Sequence, residues 1–442
     1  MTARLILVGD MHLGRRPSRL PLRLLEEESV DPRLLTPVAA WRSVVDHACA
    51  LEADAVVLAG DVVESDAARW EALPELQRQV ERLLAAGIDV CAVSGNHDVE
   101  ALPVLARNLP GFRLLGRGGR WELHPVRRDG ATVANILGWS FPQRRVDTSP
   151  LAQGLPAAPG DGVPTIGILH CDLAAPGSVY APVRRAELAA SWPDAWFLGH
   201  IHEPSLPPAG RALGYLGSLV GLDPGETGAR GAWEVEVGRD GRLAWRHLPL
   251  SPLRWERVDV PVDDYDRDGR TLQDLLVGAM AARHAAIRAE GAEPRLVGIR
   301  LRLCGRTAQH ASLAAELAAL RAAGADRLRV PADGCLLFAE QVIDDSAAAW
   351  DLERLAAGRD LPALLARDIL SLEHGDGAAG GILRTARAEL DEAITHPNFS
   401  PLGPAPATDP ADDDELRRLL LVTAHRTLDA LLAQRRDPDA PA

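Results

Sequence analysis

Residues 4–14 read RLILVGDMHLG. A short apolar run passes directly into a glycine, a carboxylate and an imidazole. A buried strand that ends on chemistry-bearing residues points to a layered α/β domain, in which ligand-holding loops leave the carboxyl ends of the strands. The arrangement recurs. Residues 55–59 (AVVLA) lead to Gly60 and Asp61, and residues 89–93 (DVCAV) lead to Gly95, Asn96, His97 and Asp98. Residues 165–169 (TIGIL) lead to His170, and residues 195–198 (AWFL) lead to Gly199, His200, Ile201 and His202. Between the strands the spacing turns helical, with Val38, Trp41, Val45 and Ala48 on one side of residues 38–51 and a second helix over 73–86.

The remaining chain sets the organisation. At 442 residues two to four domains are expected, and 47% apolar with 25% charged residues supports packed cores. Further strands are predicted at 132–139 and 213–216, and a hairpin joins 232–237 to 243–248 across Gly238 to Gly241. Residues 1–250 therefore read as one α/β domain. Residues 251–345 read as a small α/β domain, with strands at 258–262, 296–303 and 327–330 and helices at 271–289 and 312–323. Residues 346–400 are helical with a break at 375–381. Residues 401–414 form a linker rich in Pro, Ala and Asp. Residues 415–436 carry Leu416, Leu420, Leu428 and Leu431 at helical spacing, as an isolated amphipathic helix would.

Composition excludes several classes. The net charge of −14 rules out nucleic-acid coating by the whole surface, since each phosphate contact needs a cation. There is no lysine, so every formal base is arginine. No run of 18 apolar residues crosses a membrane, and the first residues lack the regions of a secretory signal. Five scattered cysteines without a CxxC pair fit reduced thiols in a cytoplasmic protein.

The strand ends carry the chemistry. Asp10 and His12, like His200 and His202, stand at i and i+2, so on extended backbone each pair faces one way. Asp61, Asn96 and His170 follow other strands. Seven oxygen and nitrogen donors exceed the needs of one ion but suit two, with four ligands each if Asp61 bridges. Two such ions can clamp a phosphate, orient water and stabilise the attacking and leaving oxygens. Carboxylate, amide and imidazole donors without thiolate favour Mn²⁺, with Fe²⁺ or Zn²⁺ as alternatives. Cys171 points away from the donors and is not counted.

The ordered set D-x-H-L-G at 10–14, G-D at 60–61, G-N-H-D at 95–98, His170 and G-H-x-H at 199–202 resembles the calcineurin-like metallophosphoesterase superfamily. The resemblance implies a four-layer fold, two mixed β-sheets flanked by helices. It also implies one metal on Asp10, His12, Asp61 and His202, and another on Asp61, Asn96, His170 and His200. His97 is then the general acid and Asp98 orients its imidazole. Leu13 with Gly14, the 214–219 stretch and the small α/β segment, which looks like a capping domain, are similar to the SbcD-type DNA-repair exonuclease branch. That branch implies a Mn²⁺-dependent DNA exonuclease or endonuclease in double-strand-break repair, a homodimer, and an SbcC-type coiled-coil ABC ATPase as partner, met by the helix at 415–436.

Two departures stand out. Glu64 occupies a position where some members carry a second active-site histidine, and residues 15–37 form a long Arg/Leu-rich connection. Arg15, Arg16 and Arg184 are candidates for substrate phosphates, against the plainer reading of solvated charges. Small nucleotides or phosphoproteins are the alternative substrates, and a DNA-end-tethering subunit of an ATPase complex is the alternative role. The chain beyond residue 250 favours DNA, because a small substrate would not need it.

Overall fold

Leu5 and Leu7 face one side of the first strand, Ile6 and Val8 face the other, and all four are buried. A strand apolar on both faces needs cover on both, which dictates a layered fold. The computed structural model describes residues 2–64, 69–173, 177–263, 265, 269–395 and 412–435. They divide into two units, Met1–Gly305 with Ala311–Ser346, and Arg306–His310 with Ala347–Ala442.

The strands to residue 248 are β1 (Ala3–Val8), β2 (Ala55–Ala59), β3 (Asp89–Val93), β4 (Phe112–Leu114), β5 (Trp121–Arg128), β6 (Ala131–Trp139), β7 (Thr165–His170), β8 (Ala195–Gly199), β9 (Leu213–Tyr215), β10 (Ala232–Val237) and β11 (Leu243–Leu248). One mixed sheet has the order β11-β10-β1-β2-β3-β4, the other β5-β6-β7-β8-β9. Leu5, Leu7, Val57 and Val93 of the first sheet meet Ile136, Ile166 and Phe197 of the second. Helix Pro37–Leu51 covers the outer face of the first sheet through Trp41, Val44 and Val45. Leu188 of helix Arg185–Ala190 packs on Trp196 and Leu198 outside the second. These are the four expected layers.

Strand register brings the chemistry to one edge. β1, β2 and β3 run parallel with Val8 beside Leu58 and Ala59 beside Val93. In the second sheet His170 lies beside Gly199. The loops that follow β1 and β2 are themselves zipped together: His12 N–H donates to Asp61 O at 2.9 Å, Leu13 N–H to Val62 O at 2.9 Å, and Glu64 N–H to Leu13 O at 2.9 Å.

Residues 253–344 add a four-stranded sheet, ordered Leu253–Pro261, Leu296–Cys304, Cys335–Asp344, Arg329–Ala332. Helices Leu272–Ala289 and His310–Ala323 cover one face. From the other face Leu253, Trp255, Leu296, Leu336 and Phe338 join the same core as Trp41 and Val44.

The second unit consists of helices Leu352–Ala356, Leu361–His374, Gly377–Thr395 and Asp413–Arg435 with a short parallel ribbon of Arg306–Thr307 and Ala347–Ala348. The expectation of an isolated last helix is corrected here. Leu416 packs with Leu372, Ala379 and Leu383, and Leu428 and Leu432 pack with Ile369. Asp429 accepts from Arg306 Nη1 at 2.9 Å and Trp350 Nε1 at 2.7 Å. An amphipathic stripe is satisfied as well by neighbours in the chain as by a partner. The break expected over 375–381 narrows to Gly375 and Asp376, with Gly375 in the left-handed conformation that ends the preceding helix. The linker at 401–411 lies outside the described residues.

Trp255 is fully buried, and its indole N–H donates to Gly221 O at 2.9 Å. Trp255→Ala should cost about 3–5 kcal/mol. Denaturant unfolding should show the loss in one transition for the whole first unit. A separate early transition for residues 253–344 would show that the core is not shared.

Candidate metal centre

Four of the seven predicted ligands sit on left-handed backbone, namely Asp10 (φ 38°), His12 (φ 46°), Asp61 (φ 49°) and His200 (φ 105°). For non-glycine residues such conformations cost on the order of 1–3 kcal/mol each and persist where the surroundings enforce them. The enforcement is visible. Both carboxylate oxygens of Asp10 accept the His200 backbone N–H, at 2.9 and 3.1 Å. Asp61 Oδ1 accepts the His97 backbone N–H at 3.0 Å. Gly95 must be glycine, because a Cβ there would overlap the Asp61 carboxylate.

Two histidines converge. His12 Nδ1 faces Glu64 Oε2 at 2.9 Å, and His202 Nδ1 faces Glu226 Oε1 at 2.8 Å. A nitrogen against a carboxylate carries a proton, which leaves Nε2 of each ring as the atom that an ion would meet. The two Nε2 atoms lie 3.0 Å apart, beside Asp10. Deeper in, His170 Nδ1 donates to Ala59 O at 3.1 Å. Its Nε2 then faces Asn96 Oδ1 at 3.2 Å and Asp61 Oδ2 at 3.4 Å. Asp10 and Asp61 both stand within reach of His170. Asp61 Oδ2 also lies 3.9 Å from His12 Nε2, between the two groups of donors. The His200 ring packs edge-on to His170 with centroids 5.2 Å apart, and Tyr180 lies on its other side.

Electrostatics favours cations here. Burial pushes the Asp10 carboxyl above its ordinary range, with Asp61 adding to it. Burial opposes the charge of Asp61 as well, but His170, His12 and His97 hold its pKa below the usual range. Burial likewise works against a charged His170, yet Asp61 and Asp10 hold it up to about 9. His200 is pushed down to about 4 by burial and by His170, so it stays a neutral donor. Imidazole nitrogens facing one another among buried carboxylates fit divalent ions, and the shared position of Asp61 fits two.

Residues 3–204 match the calcineurin-like phosphoesterase family. The metallophosphoesterase superfamily seen in the motifs is supported by that match and by a relative. The chain is 28% identical over 231 residues to an uncharacterized metallophosphoesterase, YhaO, of Bacillus subtilis (strain 168), across 51% of this chain and 55% of the relative. It thus spans about half the length of the curated relative it matches. Among solved structures, a dimetal phosphatase from Danio rerio is 13% identical, covering 55% of this chain and 95% of its own, with a TM-score of 0.37. The protein TT1561 of Thermus thermophilus is 13% identical, covering 56% and 99%, with a TM-score of 0.31. TM-scores this low carry no weight for the site.

Within the region matched by that family, Asp10, His12 and His202 would hold one ion and Asp61, Asn96 and His170 the other, with His200 beside the second. When bound, two ions supply Lewis-acid polarisation of a phosphate and of the attacking water. His97 lies at the open side, 37% exposed, with Nε2 4.0 Å from Asp61 Oδ2. Its Nδ1 faces Glu64 Oε1 at 2.8 Å. That contact raises the His97 pKa above its ordinary value, against the pull of burial. In its protonated form the ring can donate a proton to a leaving oxygen.

The role expected for Asp98 is corrected. Its carboxylate does not touch His97. It accepts backbone N–H groups of Val62 at 2.7 Å and Gly95 at 2.8 Å, stapling the loops that carry Asp61 and Asn96. Burial, then the Asp61 charge, raises Asp98 above the ordinary carboxyl range while those donors pull it down. Glu64 orients His97 instead. Arg184, expected at the substrate, pairs with Glu187 at 3.0 Å at the start of a helix. Arg15 and Arg16 are exposed and have no ion-pair partner among the described residues. Burial works against a charged His202, but Glu226 and Asp10 hold its pKa above the ordinary value, with nearby Arg15 opposing them. Glu226 escaped the sequence reading, since no motif spacing links it to His202.

Glu226→Gln keeps the size and removes the charge behind His202. Calorimetric titration with Mn²⁺ should show affinity lowered about 10–100-fold, as for other carboxylates behind metal-binding histidines. Unchanged affinity would mean that His202 needs no such support. Glu64→Gln should lower the His97 pKa, so the acid form is lost sooner on raising the pH. The alkaline limb of the pH–rate profile should move to lower pH, and an unmoved limb would exclude the coupling.

Proposed function

We propose that this metallophosphoesterase hydrolyses phosphodiester bonds of DNA, as a nuclease in double-strand-break repair. The observation that carries the reading is His97, an imidazole whose pKa Glu64 raises, at the open side of a donor set suited to two ions. Water attacks phosphorus in line, the opposite phosphorus–oxygen bond breaks, the His97 Nε2 proton passes to the departing oxygen, and the proton released by the water goes to solvent, from which His97 is reprotonated. DNA as substrate is supported by the sheet at residues 253–344, fused to the catalytic core, and by Arg15 and Arg16 standing exposed just after the His12 motif. Manganese, a homodimer and an SbcC-type ATPase partner belong to this reading through the resemblance of the motifs. With Leu416, Leu428 and Leu432 packed inward, such a partner would meet the exposed Leu419 and Val422 of the last helix.

The test is an end-labelled DNA duplex incubated with Mn²⁺ and either wild type or His97→Ala. Wild type should release nucleotides or short fragments, and the variant should be slower by about 10²–10⁴-fold. Hydrolysis of a generic chromogenic phosphodiester without DNA cleavage would overturn the DNA assignment and leave the phosphoesterase intact.

A further inference from the structure

The long connection at residues 15–37 is unused by the metal centre, and the structure gives it a place. Its helix Leu22–Glu27 reaches the segment that follows helix His310–Ala323. Between them lies a cavity of about 120 Å³, lined by Arg23, Leu24, Glu27, Ala323, Arg327 and Arg329. That is well above the room one water needs. Three guanidiniums line it against one carboxylate. Arg23 pairs with Glu27 at 3.1 Å, and Arg329 pairs with Glu28 at 2.7 Å and Glu27 at 3.5 Å. Arg327 has no ion-pair partner among the described residues, so with Glu28 counted the group carries one excess positive charge. The Arg23–Glu27 pair is exposed and the Arg329 pairs are half-buried, and pairs open to solvent are weak and exchange for a better anion. Guanidiniums converging from two segments suit a group with several charged oxygens, which each fork can grip through two N–H donors.

We propose that Arg23, Arg327 and Arg329 form a pocket for a phosphate group, sharing no residue with the metal-facing site. The group is either a free phosphate or a backbone phosphate of a bound strand. The pocket does not depend on which ester the metal centre cleaves, since a phosphate would fill it in either case. It also accounts for the length of the 15–37 connection, because Arg23 and Glu27 come from it.

The experiment uses the 442-residue chain treated with EDTA, which removes metal-held phosphate from the measurement. Inorganic phosphate is titrated by calorimetry and a labelled single-stranded oligonucleotide by fluorescence anisotropy. Arg327→Ala should weaken binding about tenfold, as loss of one charge-assisted contact does. Glu27→Gln should tighten it, which a merely structural role for these pairs would not do. For the oligonucleotide, Arg327→Ala should also reduce the salt dependence by about one counterion. If phosphate responds, a free anion suffices as ligand. If only the oligonucleotide responds, the phosphate belongs to a strand. If neither affinity moves in either variant, with unfolding midpoints unchanged, the proposal is wrong.

Discussion

The Asp61 carboxylate is buried at the end of β2, with Oδ2 3.4 Å from His170, 3.9 Å from His12 and 4.0 Å from His97. Burial of a charge is expensive unless opposite charge repays it. Three imidazoles on three other segments therefore surround one anion, and each is held by a further acceptor: Ala59 O for His170, Glu64 for His12 and His97. The sheets exist, in functional terms, to bring these groups to a common edge. Left-handed backbone at Asp10, His12, Asp61 and His200 is the strain that this convergence imposes.

The rigidity of the site follows from backbone contacts rather than from side-chain packing alone. The loops after β1 and β2 pair through Leu13 and Val63, and Asp98 ties the β2 loop to Gly95. A shift in any one loop would move its neighbours with it. Glu64 gains its position from that zipper, where it reaches both His12 and His97. A carboxylate here differs from a histidine, since it raises the His97 pKa where a second imidazole would not.

Much of this was legible in the sequence. β1, β2, β3, β7 and β8 are apolar on both faces and reach a glycine or a ligand within two residues of their ends, so their runs and the order of their motifs stand out. β5 did not, because it is an edge strand of mixed polarity that tolerates Pro125. Strand Cys335–Asp344 was also missed, although Gly334 followed by CLLFA signals a turn and a buried strand. The resemblance places Asp98 behind His97, whereas its carboxylate turns inward to backbone donors. Glu226 reaches His202 only through the fold, when Ser218 N–H binds His202 O and brings the 218–226 loop across. The last helix showed its stripe, but a stripe does not name its neighbour.

The central claim is that one carboxylate is shared by two ions. Electron paramagnetic resonance of the Mn²⁺-loaded chain, with the metal counted by elemental analysis, tests it directly. The account predicts two ions per chain and the spectrum of an exchange-coupled pair, which Asp61→Ala converts to that of isolated ions. One ion per chain, or two uncoupled ions in the wild type, would contradict it.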